Sequence, residues 1–93
     1  MTQYLQGETA IISAEITNSA GTYINADTIT CVIYDPAGTQ KATGAMTTDG
    51  TGLYHYDYNL ASDAAVGVWE GLVTAVLGAR TTKEQVEFIV ETR

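Results

Sequence analysis

Apolar and polar residues alternate along most of this chain, and glycine-rich turns break the alternation at intervals. Tyr54-His55-Tyr56-Asp57-Tyr58-Asn59-Leu60 is the clearest run, with every second side chain large and apolar. A β-strand points successive side chains to opposite faces, so this period builds one wet face and one buried face. The pattern predicts seven strand-like stretches, over residues 2–6, 8–17, 27–34, 39–48, 53–60, 67–77 and 81–91. Turn chemistry separates them. Asn18-Ser19-Ala20-Gly21 closes the second, Asp35-Pro36-Ala37-Gly38 closes the third, and Asp49-Gly50-Thr51-Gly52 leads into the fifth. Proline presets one turn position, and aspartate bonds its own backbone. Gly78-Ala79-Arg80 reads as a hairpin connection between the last two strands. Residues 61–66 are too few to stand as a helix, and residues 22–26 form a connection of no clear state. The fourth stretch is built of small residues with one lysine, which suits an edge strand.

Assigning phases predicts a core. Ala10, Ile12, Ala14 and Ile16 share a phase, as do Ile29, Cys31 and Ile33. Tyr54, Tyr56, Tyr58 and Leu60 point inward; so do Trp69, Gly71, Val73, Ala75 and Leu77, and Val86, Phe88 and Val90. The opposite phases are less polar than a solvated face requires. They leave Val32 and Tyr34 on the third strand, Val68, Leu72 and Val76 on the sixth, and Ile89 on the seventh. If those three strands share a sheet, these residues gather on its outer face. A contiguous apolar patch on a small domain marks an interface. Val32, Tyr34, Leu72, Val76 and Ile89 are therefore the candidate interface residues.

Ninety-three residues amount to one domain, residues 1–93. A hydrophobic content of 45% is too rich for disorder. The formal charge is −7, from eleven acids against four bases, spread along the chain. Such a surface repels nucleic acid and anionic membranes, whose binding depends on basic groups. No window approaches the ~20 apolar residues of a membrane span. The opening Met1-Thr2-Gln3-Tyr4-Leu5-Gln6-Gly7 lacks the basic start and apolar run of an export signal, so synthesis in a cytoplasm is expected.

The search for chemistry predicts no catalytic residue, no cofactor and no metal site. Cys31 is the only cysteine, lies in an apolar stretch and has no basic neighbour in sequence, so it reads as a buried inert thiol. His55 is the only histidine and stands two residues from Asp57 on a wet strand face, a poor cleft. Glu87 and Glu91 share a phase without forming a pair across a pocket. Asp27, Asp35, Asp49, Asp57 and Asp63 lie near turns or strand ends, but calcium needs six to eight oxygens from several groups, and turn formation explains them. Tyr4, Tyr23 and Tyr34 remain as exposed aromatics for a sugar platform.

Several of these signals recur in a known family. Gly7-Glu8 opens the second strand, Asp35-Pro36-x-Gly38 follows the third, Asp49-Gly50-x-Gly52-x-Tyr54-x-Tyr56-x-Tyr58 enters the fifth, and Gly67-x-Trp69 begins the sixth. The chain resembles immunoglobulin-like β-sandwich domains of macroglobulin-repeat or Big-like type, found in bacterial surface proteins and phage virions. The resemblance implies an all-β, single immunoglobulin-like antiparallel sandwich of about seven strands. It carries over neither the cysteine pair of antibody domains nor a thioester. The expected function is non-enzymatic: a phage virion accessory protein, such as a head decoration, docking through the apolar sheet face or through end loops on a capsid or on sister subunits as a homo-oligomer. The alternatives are a spacer or adhesion module of a larger bacterial surface protein, at the cell surface, and a carbohydrate-binding module.

Overall fold

The computed structural model describes residues 2–93. Eight strands build it: β1 (Thr2–Leu5), β2 (Thr9–Glu15), β3 (Thr28–Tyr34), β4 (Gln40–Ala45), β5 (Thr47–Gly50), β6 (Leu53–Asn59), β7 (Gly67–Leu77) and β8 (Arg80–Glu91). They form two stacked sheets. One has five strands in the order β1-β8-β7-β3-β4, the other three in the order β2-β6-β5. No helix occurs among the described residues; residues 61–66 run through a turn.

The expected fourth strand, residues 39–48, is in fact two. β4 pairs with β3 in the larger sheet, and β5 pairs with β6 in the smaller. The chain changes sheet at Met46, the one large apolar residue of the stretch, which is buried. Its N–H donates to the Ile29 carbonyl at 3.0 Å as the crossing begins. Burial of this side chain between the layers bends the chain inward, where period-two reading sees only one weak strand. Pairing also departs from uniform antiparallel order: β1 runs parallel to β8, from Thr2 opposite Phe88 to Leu5 opposite Glu91.

The interior follows the sequence phases closely. Ala10, Ile12, Ala14 and Ile16 from one sheet meet Ile29, Cys31, Ile33, Val73, Ala75, Phe88 and Val90 from the other, all buried. Trp69 is 2% exposed and anchors the centre, its indole N–H donating to the Ala65 carbonyl at 2.7 Å. Tyr4, Phe88, Trp69 and Tyr58 form an aromatic row with centroid spacings of 5.6, 6.0 and 5.9 Å, inside the range where offset and edge contacts are favourable. Tyr54 is buried as expected, and its hydroxyl accepts from the Ala26 N–H at 3.0 Å, so the polar end is satisfied. Tyr56, Tyr58, Leu77 and Val86 have the phase of core residues but are only half-buried. Leu77 and Val86, on the five-stranded layer, reach past the three-stranded one, whereas Tyr56 and Tyr58 lie on β6 beyond the last residue paired with β5. Gly67 has a left-handed φ of +138°, and a Cβ there would stand 3.1 Å from Pro36 Cγ. That close approach brings the start of β7 against the Asp35-Pro36 turn and lets Trp69 enter the core.

Candidate docking face

β3, β7 and β8 lie side by side, so the expected interface residues do share one face. Register places them. Val32 is opposite Leu72, Thr28 opposite Val76, Tyr34 opposite Glu70, and Val68 opposite Ile89. Val32, Tyr34, Leu72, Val76 and Ile89 are each half-buried by their neighbours on the sheet, and Val68 is 45% exposed. Successive outward residues of a strand are roughly 7 Å apart. The face is therefore a field of rows, apolar and polar in turn along β7: Val68, Glu70, Leu72, Thr74, Val76.

This arrangement differs from the single patch expected. Glu70 stands directly opposite Glu87, and that row divides Val68 and Ile89 from Val32 and Leu72. Like charges directly opposite each other are unfavourable. Neither glutamate has an ion-pair partner among the described residues. The apolar group at the Val68 end is larger than expected, because the parallel pairing of β1 adds Leu5, 43% exposed, beside Glu91. Sequence reading misses Leu5; only the partner of β1 decides which face it joins.

The outer face of the smaller sheet is more polar. Its pairs are Thr9 with Asn59, Ile11 with Asp57, Ser13 with His55 and Glu15 with Leu53. Thr9 donates to the Asn59 side-chain carbonyl at 2.7 Å. His55 sits among carboxylates, but its principal partner is not the expected Asp57. Its Nδ1 lies 2.7 and 2.8 Å from the two carboxylate oxygens of Asp49, in the irregularity of β5, while Asp57 is 3.8 Å from Nε2. The hydrogen bond to Asp49, assisted by the charges of Asp49 and Asp57, raises the His55 pKa above its ordinary value of 6.5. Ser13 stands opposite His55 across the strands, but among the described residues no hydrogen bond joins its hydroxyl to the imidazole.

The other titratable candidates have structural partners. Asp35 Oδ1 accepts from the Ala37 and Thr39 N–H groups at 3.0 and 2.8 Å, capping its turn, and Lys41 lies 3.8 Å from Oδ2. Asp27 accepts from the Gly78 N–H at 2.6 Å and ties the start of β3 to the β7–β8 turn. Burial pushes the Cys31 thiol up to about 11, so at neutral pH it is not a nucleophile. Among the described residues no group of three His, Cys, Asp or Glu side chains is placed to hold a metal. Of the three aromatics expected to be exposed, Tyr23 is 45% exposed, whereas Tyr4 and Tyr34 are half-buried. Tyr4 stands edge-on to Phe88, so the three do not make a common sugar platform. Among the described residues no helix is long and apolar enough to cross a membrane.

Comparison with solved structures bears on the fold directly. The chain superposes on Escherichia coli α-2-macroglobulin in its native conformation with a TM-score of 0.77 and 26% identity, over 96% of this chain and 5% of that one. A Salmonella α-2-macroglobulin reacted with methylamine gives 0.75 and 27%, over 96% of this chain and 6% of that one. The Lin-41 filamin domain gives 0.66 and 12%, covering 97% of this chain and 83% of that domain. An endo-β-1,4-mannanase from Thermotoga petrophila also contains a match, 14% identical over 18% of its chain. This chain is an immunoglobulin-like β-sandwich. It spans about a twentieth of the macroglobulins it matches, so their activities belong to much longer chains. No protein-family model and no curated protein matches it.

Proposed function

We propose that this domain is a non-enzymatic docking module that binds protein through the outer face of its five-stranded sheet. One observation carries the reading. The inner face of that sheet already fills the core, yet its outer face still presents Leu5, Val68, Ile89, Val32, Leu72 and Val76. Burying such groups at a desolvated centre supplies most of the affinity of an interface. The unpaired Glu70–Glu87 row between the two apolar groups supports a partner with an apolar surface carrying a lysine or arginine at its middle. A base there would relieve the like-charge opposition, and the acidic chain would steer toward it.

The setting proposed is a virion, with the domain as an accessory or head-decoration protein seated on a capsid. A second reading, a spacer or adhesion module within a longer bacterial surface protein, is supported by the macroglobulin likeness, where the matching stretch is one part of a long chain. Co-sedimentation with empty capsids tests the first. Binding that is lost in Leu72→Glu, with an unchanged circular dichroism spectrum, supports docking by this face. Unchanged capsid binding in that variant removes the face from consideration. No capsid binding, with a reading frame that continues into further domains, moves the module to the second setting.

A further inference from the structure

The first half of β8 is an open edge of the five-stranded sheet, while its partner β7 is flanked by β3 as far as Val76. Residues Arg80–Gln85 are exposed on both faces, although β8 is among the longest strands. β1 covers its outer edge only from Phe88 to Glu91. A two-residue turn, Gly78-Ala79, closes the hairpin at Leu77 and Arg80. The closing residues of such a turn bond to each other, so even-numbered residues of β8 turn their backbone groups toward β7 and odd-numbered residues turn theirs outward. The bond from the Gln6 N–H to the Glu91 carbonyl, on the outer side, agrees. Thr81, Lys83 and Gln85 thus present unpaired N–H and C=O groups to solvent, a template for a further strand.

We infer that this edge pairs with the same edge of a second copy of the chain, antiparallel about a two-fold axis at Thr82. Three constraints narrow the register, and charge pairing then selects Thr82 over Thr81. Residues directly opposite in an antiparallel pair turn their backbones the same way, so in identical strands the axis must pass through a residue. An axis at Glu84 or Gln85 would drive the partner's hairpin tip into the place that β1 occupies beside Phe88–Glu91. An axis at Lys83 would set two ammonium groups against each other. With the axis at Thr82, Arg80 falls opposite the partner's Glu84, Glu84 opposite the partner's Arg80, and Thr82 opposite the partner's Thr82. Each Thr81–Lys83 pairing exchanges both backbone bonds.

The charges fit this arrangement. Arg80 and Lys83 are two of the four bases in a chain of net charge −7. Neither Arg80 nor Glu84 has an ion-pair partner among the described residues. The sheet-face reading above does not depend on this edge, nor the edge on that face.

Light scattering with mass measurement, run on the full chain across a concentration series, reads the association. A reversible dimer is expected. Arg80→Glu should weaken it by about tenfold or more, because opposite-charge pairs become like-charge pairs at both symmetry-related positions. The exchange Arg80→Glu with Glu84→Arg should restore it. Thr82→Cys should oxidise to a covalent dimer, since residues facing across a non-bonded antiparallel pair stand about 4.5 Å apart, within disulfide reach. Gln85→Cys should stay unlinked. A monomer at every concentration overturns the inference. So does a dimer indifferent to Arg80→Glu but dissociated by Leu72→Glu, or a faster cross-link at Gln85→Cys than at Thr82→Cys.

Discussion

The two sheets share one core but present unlike faces to solvent. On the smaller sheet, Thr9 bonds Asn59, Ser13 faces His55, and His55 is held by Asp49. Its exposed apolar residues, Ile11 and Leu53, each sit beside a carboxylate across the strand. On the larger sheet the polar groups are in conflict rather than satisfied: Glu70 opposes Glu87. Apolar residues stand in adjacent positions on neighbouring strands, Val32 beside Leu72 and Val68 beside Ile89. The same strand-forming sequence has thus made one face that is complete in water and one that is improved by a partner.

Removing the shared core is the largest perturbation available. Trp69→Ala takes away the indole that both layers enclose, and a cost of about 3–5 kcal/mol is expected, read as a fall in the urea midpoint. That is a large part of the roughly 5–15 kcal/mol that holds a small domain folded. A loss under about 1 kcal/mol would show that the two layers do not depend on a common centre.

Gly52→Ala probes how the smaller sheet is tied to its loop. Gly52 has a φ of +74°, and a Cβ there would lie 2.6 Å from the Ile16 carbonyl oxygen. Strain and collision should together cost more than about 1 kcal/mol in chemical denaturation. Near-neutral stability would mean that the Ile16–Gly52 junction is not a constraint on the fold.

The outer faces are compared by matched substitutions. Leu72→Glu on the larger sheet and Ile11→Glu on the smaller should each change stability by no more than about 1 kcal/mol. Only Leu72→Glu should lower the binding of a fluorescent apolar dye. Equal dye binding by the two variants would erase the distinction between the faces.

The smallest expected effect lies at His55. Its pKa is raised in the folded chain, chiefly by the hydrogen bond to Asp49, so folding favours the charged imidazole. The stabilisation is fully present below the ordinary value of 6.5 and is lost as pH rises through the higher folded value. The melting-temperature difference between the native chain and Asp49→Asn should therefore shrink as pH rises from below 6.5 into the alkaline range. A difference constant across that range would show that the contact does not sense the charge of the imidazole.

Much of the fold is legible in the alternation of side chains alone. Strands with an apolar residue at every second position, such as Ala10 to Ile16 and Ile29 to Ile33, are buried in the expected phase. Those phases also put Val32, Leu72, Val76 and Ile89 outward once β3, β7 and β8 are neighbours. The less legible parts are where pairing partners rather than local pattern decide. Residues 39–48 hold no strong alternation, so their division between two sheets depends on Met46 finding the interior. Tyr56 and Tyr58 have the right phase, but they lie on β6 beyond the end of its pairing with β5. Proximity along the chain pairs His55 with Asp57, whereas the irregular pairing of β5 with β6 brings Asp49 closer.

By itself, then, the sequence determined which residues alternate, where the chain turns, and which side chains must leave water, because a strand's two faces and a turn's backbone demands are local properties. Only the tertiary structure decided which strands became neighbours: the parallel docking of β1 that adds Leu5 to the outer face, the Glu70–Glu87 opposition, and the bare stretch of β8 edge. Those features come from registers between segments far apart in the chain, and register is settled by the packing of the whole core.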